Sequence, residues 1–186
     1  MSTSLPEYPP LVSRAFELAA SLRFERSCSL ETGRLLHVLA GMRGRMRVAE
    51  TGTGVGVGAA WIVSALDPAV PFFTVEIDAR RAVAARRLFA DDENVEVLAG
   101  DWHDVLPPQA PFDLLFHDGS KRRPDLDGEL TLGLLAPRGL VVMDDLSPER
   151  EGPDAVRAFW LEHPELEAVE VPVSPRETVI LAVRSG

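Results

Sequence analysis

Apolar residues recur along this chain with two periods. Leu11, Ala15, Leu18, Ala19 and Leu22 fall three or four residues apart, as do Leu35, Leu36, Val38 and Leu39, which predicts helices over 9–26 and 29–42 with Ser29 as N-cap of the second. From residue 46 short apolar runs take over. Segments 46–50, 71–76, 94–98, 112–117 and 139–143 read as strands, with helical patterns at 57–66, 79–90 and 124–135 between them and a short turn or helix at 101–106. Such alternation implies a parallel sheet with helices on both faces. The end breaks the rhythm. After a helix at 153–162, strands 166–171 and 177–183 are separated by Pro172-Val173-Ser174-Pro175-Arg176, too short for a helical crossover, so the last pair is expected to form an antiparallel hairpin.

The first strand runs into Glu50-Thr51-Gly52-Thr53-Gly54-Val55-Gly56-Val57-Gly58, and a helical run follows. Glycines at every second position between strand and helix let the backbone approach a ligand closely, and the helix start offers unpaired N–H groups. That suits a nucleotide-like ligand. Gly54-x-Gly56-x-x-Ala59 fits a dinucleotide fingerprint. The longer frame Glu50-x-Gly52-x-Gly54-x-Gly56 instead resembles motif I of class I S-adenosylmethionine-dependent methyltransferases.

Composition narrows the field. The 186 residues, 46% hydrophobic, suit one domain over 1–186, divided into a helical segment 1–44 and an α/β core 45–186. No apolar run is long enough for a membrane span, and the first residues do not read as a secretory signal. A lone cysteine, Cys28, points to a reducing cytoplasmic setting. A net charge of −10 disfavours nucleic acid as a partner. Arg43/Arg45/Arg47 and Arg80-Arg81 with Arg86-Arg87 are balanced by nearby acids and read as solvated faces. Of the 19 basic residues all but Lys121 are arginine, and lysine, unlike arginine, can serve as a base when its pKa is perturbed.

In open α/β sheets ligands bind beyond the carboxyl ends of the strands. Glu76, 20 residues after Gly56, ends the second strand and is placed to accept both ribose hydroxyls of a nucleoside. Asp101 and Trp102 offer an adenine a carboxylate and an aromatic face, though Trp102 serves equally well as core; His103 is an adenine contact or a surface residue. Asp118, Asp144 and Asp145 gather at the ends of strands four and five, and clustered carboxylates invite a hard divalent cation unless they cap turns.

These residues carry a family likeness. The chain resembles the cation-dependent, catechol-type O-methyltransferases over roughly residues 30–186, through Glu50-Thr51-Gly52-Thr53-Gly54-Val55-Gly56, Val75-Glu76-Ile77-Asp78, Asp118-Gly119-Ser120-Lys121 and Met143-Asp144-Asp145. The resemblance implies an α/β, Rossmann-like, mostly parallel seven-stranded sheet with helices on both faces and a C-terminal antiparallel β-hairpin. It implies S-adenosyl-L-methionine as cofactor, held by Glu50, Gly52, Thr53, Gly54, Gly56, Gly58, Glu76, Ile77, Asp101, Trp102, His103 and Asp118. It assigns Mg²⁺ or another divalent cation to Asp118, Asp144 and Asp145, and catalysis to Lys121 with Asp118. The implied activity is methyl transfer to a hydroxyl of a small aromatic molecule.

The chain departs from that pattern in places. Asp145 stands where the family usually has Asn, Leu146-Ser147-Pro148-Glu149 lacks aromatic residues, Tyr8 is the only tyrosine, and Ser120 replaces a tryptophan found in some members. Three alternatives follow: a metal-independent methyltransferase, an NAD(P)-binding oxidoreductase, or a non-catalytic cofactor-binding module. The apolar stripe of helix 9–26 could cover the site or meet a second copy in a homodimer.

Overall fold

A computed structural model describes residues 8–119, 124–148 and 152–186, with the side chains of residues 124, 125 and 145 outside that description. Seven strands form one sheet: β1 (Val48–Thr51), β2 (Phe72–Glu76), β3 (Val95–Ala99), β4 (Phe112–His117), β5 (Leu135–Leu146), β6 (Leu166–Ser174) and β7 (Glu177–Arg184). Their order is β3-β2-β1-β4-β5-β7-β6. The first five are parallel, and β7 lies antiparallel between β5 and β6. The expected sheet and terminal hairpin are therefore present.

Alternation along each strand builds two cores. Val48, Phe72, Leu114, Phe116 and Val142 face one side; Ala49, Phe73, Leu115, Val141 and Met143 face the other. The first core is closed by α1 (Pro10–Ser21), α2 (Leu30–Ala40), α3 (Val57–Val63) and α4 (Ala79–Leu88). The second is closed by α5 (Trp102–Val105), α6 (Pro124–Leu134) and α7 (Ala155–Glu162). Side-chain caps start several of these helices: Ser29 accepts the Thr32 N–H, and Asp78, Asp101 and Asp154 do the same for α4, α5 and α7.

Some expectations change. The first helix ends at Ser21 rather than 26, because Arg23 takes φ 52° and the chain turns back toward the glycine loop. Of its stripe, Leu11, Ala15 and Ala19 are buried in the first core together with Val12, while Leu22 is exposed. β5 starts at Leu135 and passes through an irregularity, with Phe112 opposite Leu135 and Leu114 opposite Leu140, and it continues to Leu146. Asp144 and Asp145 are thus within the strand's last turn of register, not beyond it. Of the arginines read as solvated, Arg43, Arg80 and Arg87 are exposed, while others also bond to the protein. Arg45 donates to Leu39 O and Asp113, Arg47 to Gln109 O, and Arg86 to Val97 O.

Candidate functional site

The carboxyl edge of β1 and β2 is organised by two buried glutamates. Glu50 pairs in register with Thr74, whose hydroxyl donates to Glu50 Oε2 at 2.5 Å. Thr74 has spent its single proton, so Thr53 donates to Thr74 across 2.6 Å. The Ala59 N–H, in the first turn of α3, also points at Glu50. Burial dominates nonetheless and, with Glu76 nearby, pushes the Glu50 carboxyl up to about 8. Glu50 lies beneath the loop and pins the start of α3. A Cβ on Gly58 would sit 2.4 Å from Glu50 Oε1, so this glycine is needed for close approach.

Glu76 ends β2 under the loop's crest. Its Oε2 accepts the Gly54 N–H at 2.8 Å; its Oε1 accepts the Asp78 N–H at 2.8 Å and an Arg81 Nη2–H at 2.7 Å. Gly54 has φ 55°, and a Cβ there would meet the Phe24 ring at 2.8 Å. The Arg81 guanidinium lies 5.7 Å from the centre of that ring. An adenosyl group needs a hydroxyl acceptor and an apolar wall for its base. Three donors on Glu76 leave one of about four carboxylate lone-pair sites, and Ile77 beside it is 70% exposed. The residues present fit such a group.

The β3 end is arranged differently. Asp101 Oδ1 caps α5 through the His103 N–H and also meets His103 Nδ1 at 2.6 Å, while His103 Nε2 reaches Asp127 Oδ1 on α6 at 2.9 Å. Burial pulls the imidazole pKa down, but the two carboxylates outweigh it and the net shift is upward. Trp102 is buried in the second core, stacked 4.0 Å from His103 and edge-on to His117.

β4 ends at His117 beside β5, which runs on to Leu146. His117 pairs with Met143, and Asp118 and Asp144 are the residues directly after that pair. Neighbouring strands lie about 4.8 Å apart. Thr51 fixes this turn: its carbonyl accepts the Asp118 N–H at 3.1 Å, and its hydroxyl accepts the Gly119 N–H at 3.0 Å. The Cys28 thiol reports the local field. Burial first, then Asp144, Glu50, Asp118 and Glu177 push its pKa well above the usual thiol value. Among the described residues, no three His, Cys, Asp or Glu side chains form a group able to hold a metal. Lys121 and the Asp145 side chain lie outside the described residues.

Behind β5, Arg157 ties the strand's exit to the hairpin. It bonds Asp154 at 2.5 Å, Glu170 at 2.8 Å and Ser147 O at 2.6 Å, and Thr178 adds a 2.6 Å bond to Glu170. Sequence reasoning missed Thr51, Thr74, Phe24, Arg81 and Arg157. Thr51 lay inside a quoted motif and Thr74 inside a predicted strand, but their partners are brought close only by the register of the sheet.

A glycine loop over buried glutamates, on a parallel sheet closed by an antiparallel hairpin, defines an α/β enzyme that works with a nucleoside-bearing cofactor. Comparison with known proteins specifies it. A catechol O-methyltransferase of Mycobacterium tuberculosis is 30% identical over 159 residues, 77% of this chain and 72% of that protein. Against some other mycobacterial O-methyltransferases the chain spans 64% or 52% of their length. The O-methyltransferase TomG of Streptomyces achromogenes, involved in tomaymycin synthesis and solved with S-adenosylmethionine, gives a TM-score of 0.81 at 27% identity, covering 100% of this chain and 94% of that one. A Bacillus cereus O-methyltransferase solved with S-adenosylhomocysteine gives 0.83 at 21% identity, over 99% and 94%, a likeness of fold alone. The chain belongs to the methyltransferase-domain family, whose model matches residues 49–146, and within it to the S-adenosylmethionine-dependent O-methyltransferases.

Proposed function

We propose that the protein methylates a hydroxyl of a small aromatic molecule with the help of a divalent cation such as Mg²⁺. One observation carries this reading: Asp118 and Asp144 follow the last register pair of two adjacent parallel strands, and a Cβ on Gly52 of the cofactor loop would lie 2.9 Å from Asp118 O. Two acids and the methyl donor's loop thus share one edge.

In this reading Glu76 accepts the ribose hydroxyls. Ile77 walls the adenine, with Asp101 and His103 on its far side and Trp102 packed beneath them. Asp118, Asp144 and Asp145 hold the cation, which when bound lowers the pKa of an acceptor hydroxyl and orients its oxygen. Lys121 takes the hydroxyl proton. When bound, the cofactor would supply an S-methyl sulfonium whose methyl group passes to the acceptor oxygen as the S–CH₃ bond gives way, leaving the sulfur as a thioether. Alignment of such a displacement contributes roughly 7–11 kcal/mol in favourable cases. The name of the M. tuberculosis relative favours an aromatic hydroxyl acceptor. A net charge of −10 favours a small molecule over nucleic acid, and the lone thiol fits the cytoplasm. Among the described residues no helix is long and apolar enough to cross a membrane.

Calorimetry with S-adenosylhomocysteine, with NADH as control, tests the cofactor half; turnover on hydroxylated aromatics with and without EDTA tests the cation. Micromolar binding of the nucleoside, silent NADH and EDTA-sensitive turnover are expected. Full turnover in EDTA would replace this reading with the metal-independent alternative.

A further inference from the structure

A second concavity of about 420 Å³ lies behind the glycine loop, between the exit of α1 and the outer face of α4. It adjoins the glycine loop through Phe24 and Val55 and extends beyond it. Its lining reaches Arg87, eight residues along α4 from Ala79, which at 1.5 Å per residue is about 12 Å from the strand ends. Two of its walls are large apolar side chains left in water, Leu22 at 50% and Val83 at 44% exposure.

Its charge runs against that of the chain. In a protein of net charge −10, Arg80, Arg81 and Arg87 line this groove with one acid, Asp78, whose carboxylate is occupied by the N–H groups of Arg80 and Arg81. Arg81 Nη2 holds Glu76, but its Nε is buried and has no acceptor. A buried donor without a partner is costly, and an incoming acceptor would satisfy it.

We propose that this groove binds a small anionic amphiphile, a carboxylate or phosphate on an apolar body, with the anion among the three arginines and the body against Leu22, Phe24 and Val83. Through Arg81 the ligand is coupled to the cofactor, a step that rests on Glu76 holding the ribose. An anion that draws Arg81 aside opens an acceptor position on Glu76 for ribose hydroxyls, so occupancy tightens cofactor binding. By linkage the cofactor tightens the anion equally.

The test is calorimetric titration of the full chain with octyl phosphate and, separately, octanoate, both below their micelle concentrations, with 1-octanol as the neutral control. Saturable binding of at least one anion, at least tenfold tighter than the alcohol, is expected; the two anions decide between phosphate and carboxylate. The exposed pair Arg80→Ala/Arg87→Ala should weaken it at least tenfold and leave S-adenosylhomocysteine affinity unchanged. Octyl phosphate or octanoate, whichever binds, should tighten S-adenosylhomocysteine several-fold in the native chain. Equal binding of octanol, or unchanged binding by the double variant, overturns the site. Anion binding with no effect on the nucleoside overturns the coupling. Absence of nucleoside binding without any amphiphile would sink the cofactor reading and leave the anion result to stand by itself.

Discussion

The two halves of the sheet's carboxyl edge use the same residue type for opposite ends. On the β1–β2 side the carboxylates are already engaged by the protein: Glu50 takes the Thr74 hydroxyl and the Ala59 N–H, and Glu76 takes two backbone N–H groups and Arg81. On the β4–β5 side Asp118 and Asp144 follow the last register pair of the two strands. A carboxylate filled by internal donors builds a loop. In the proposed reading Asp118 and Asp144 would instead serve the cation. On that reading the edge is half scaffold and half chemistry, and substitutions should separate the two.

The largest separation is expected at Lys121. If this lysine takes the acceptor's proton, Lys121→Met should lower kcat by about 10²–10⁴-fold, the range of a lost general base. Affinity for S-adenosylhomocysteine should stay within a factor of two, because that ligand engages the other half. Stopped assays paired with calorimetry measure both. A matched fall in nucleoside affinity would break the division between the halves.

Glu50 offers the next largest effect, on stability. Its folded pKa of about 8 lies above the ordinary carboxylate value of 4.5. Between those values the folded protein keeps a proton that the unfolded chain has released, so stability falls as pH rises from about 4.5 to 8 and levels off beyond. The full difference is of order 5 kcal/mol. Glu50→Gln should remove most of that slope in urea unfolding at pH 5, 7 and 9, and should be more stable than the native chain at pH 9. An unchanged slope would mean that Glu50 is not held neutral under the loop.

Arg157 tests whether the chemical half has scaffolding of its own. Its side chain is 16% exposed and joins Asp154, Glu170 and Ser147 O behind the strand that carries Asp144. Removing it strands two carboxylates that are themselves mostly covered. Full burial would make the loss 3–5 kcal/mol, and partial exposure reduces Arg157→Met to about 2–3 kcal/mol. Denaturant midpoints would read this, and Arg157→Lys should recover only part of it, since an ammonium cannot reach three partners in one plane. Full recovery by lysine would show that charge alone suffices.

The halves also differed in how far the sequence revealed them. Gly52, Gly54, Gly56 and Gly58 announced the loop because tight approach and positive φ exclude most side chains, and Glu76 followed from its place at a strand end. The sheet and hairpin were legible because period two and a five-residue gap leave little choice. Contacts between distant segments were not. Phe24 meets Gly54 only because α1 stops at Ser21, and Arg81 reads as a surface charge until Glu76 is found beside it. β5 ran longer than its apolar core because pairing with β7 carries it past Asp144 to Leu146. Of the acceptor half, Asp118 and Asp144 were placed by register, while Lys121 and Asp145 rest on motif spacing.

The smallest expected effect lies between the halves, at His103. Its ring spans Asp101, which caps α5, and Asp127 on α6, the helix entered just after the stretch that carries Lys121. Burial disfavours the imidazolium, but the paired acids favour it more, so the folded pKa lies above 6.5. The resulting stability is complete below pH 6.5 and disappears as pH rises through the folded value. Glu50 gives a slope of the same sign over an overlapping window, so the native chain cannot show the two apart. In the Glu50→Gln background the residual slope should belong to His103, and adding His103→Asn should flatten it. An NMR titration of the ring reads the same quantity directly. A midpoint at or below 6.5 would mean that the acids do not grip the ring, and that α5 and α6 are joined by packing of Trp102 rather than by charge.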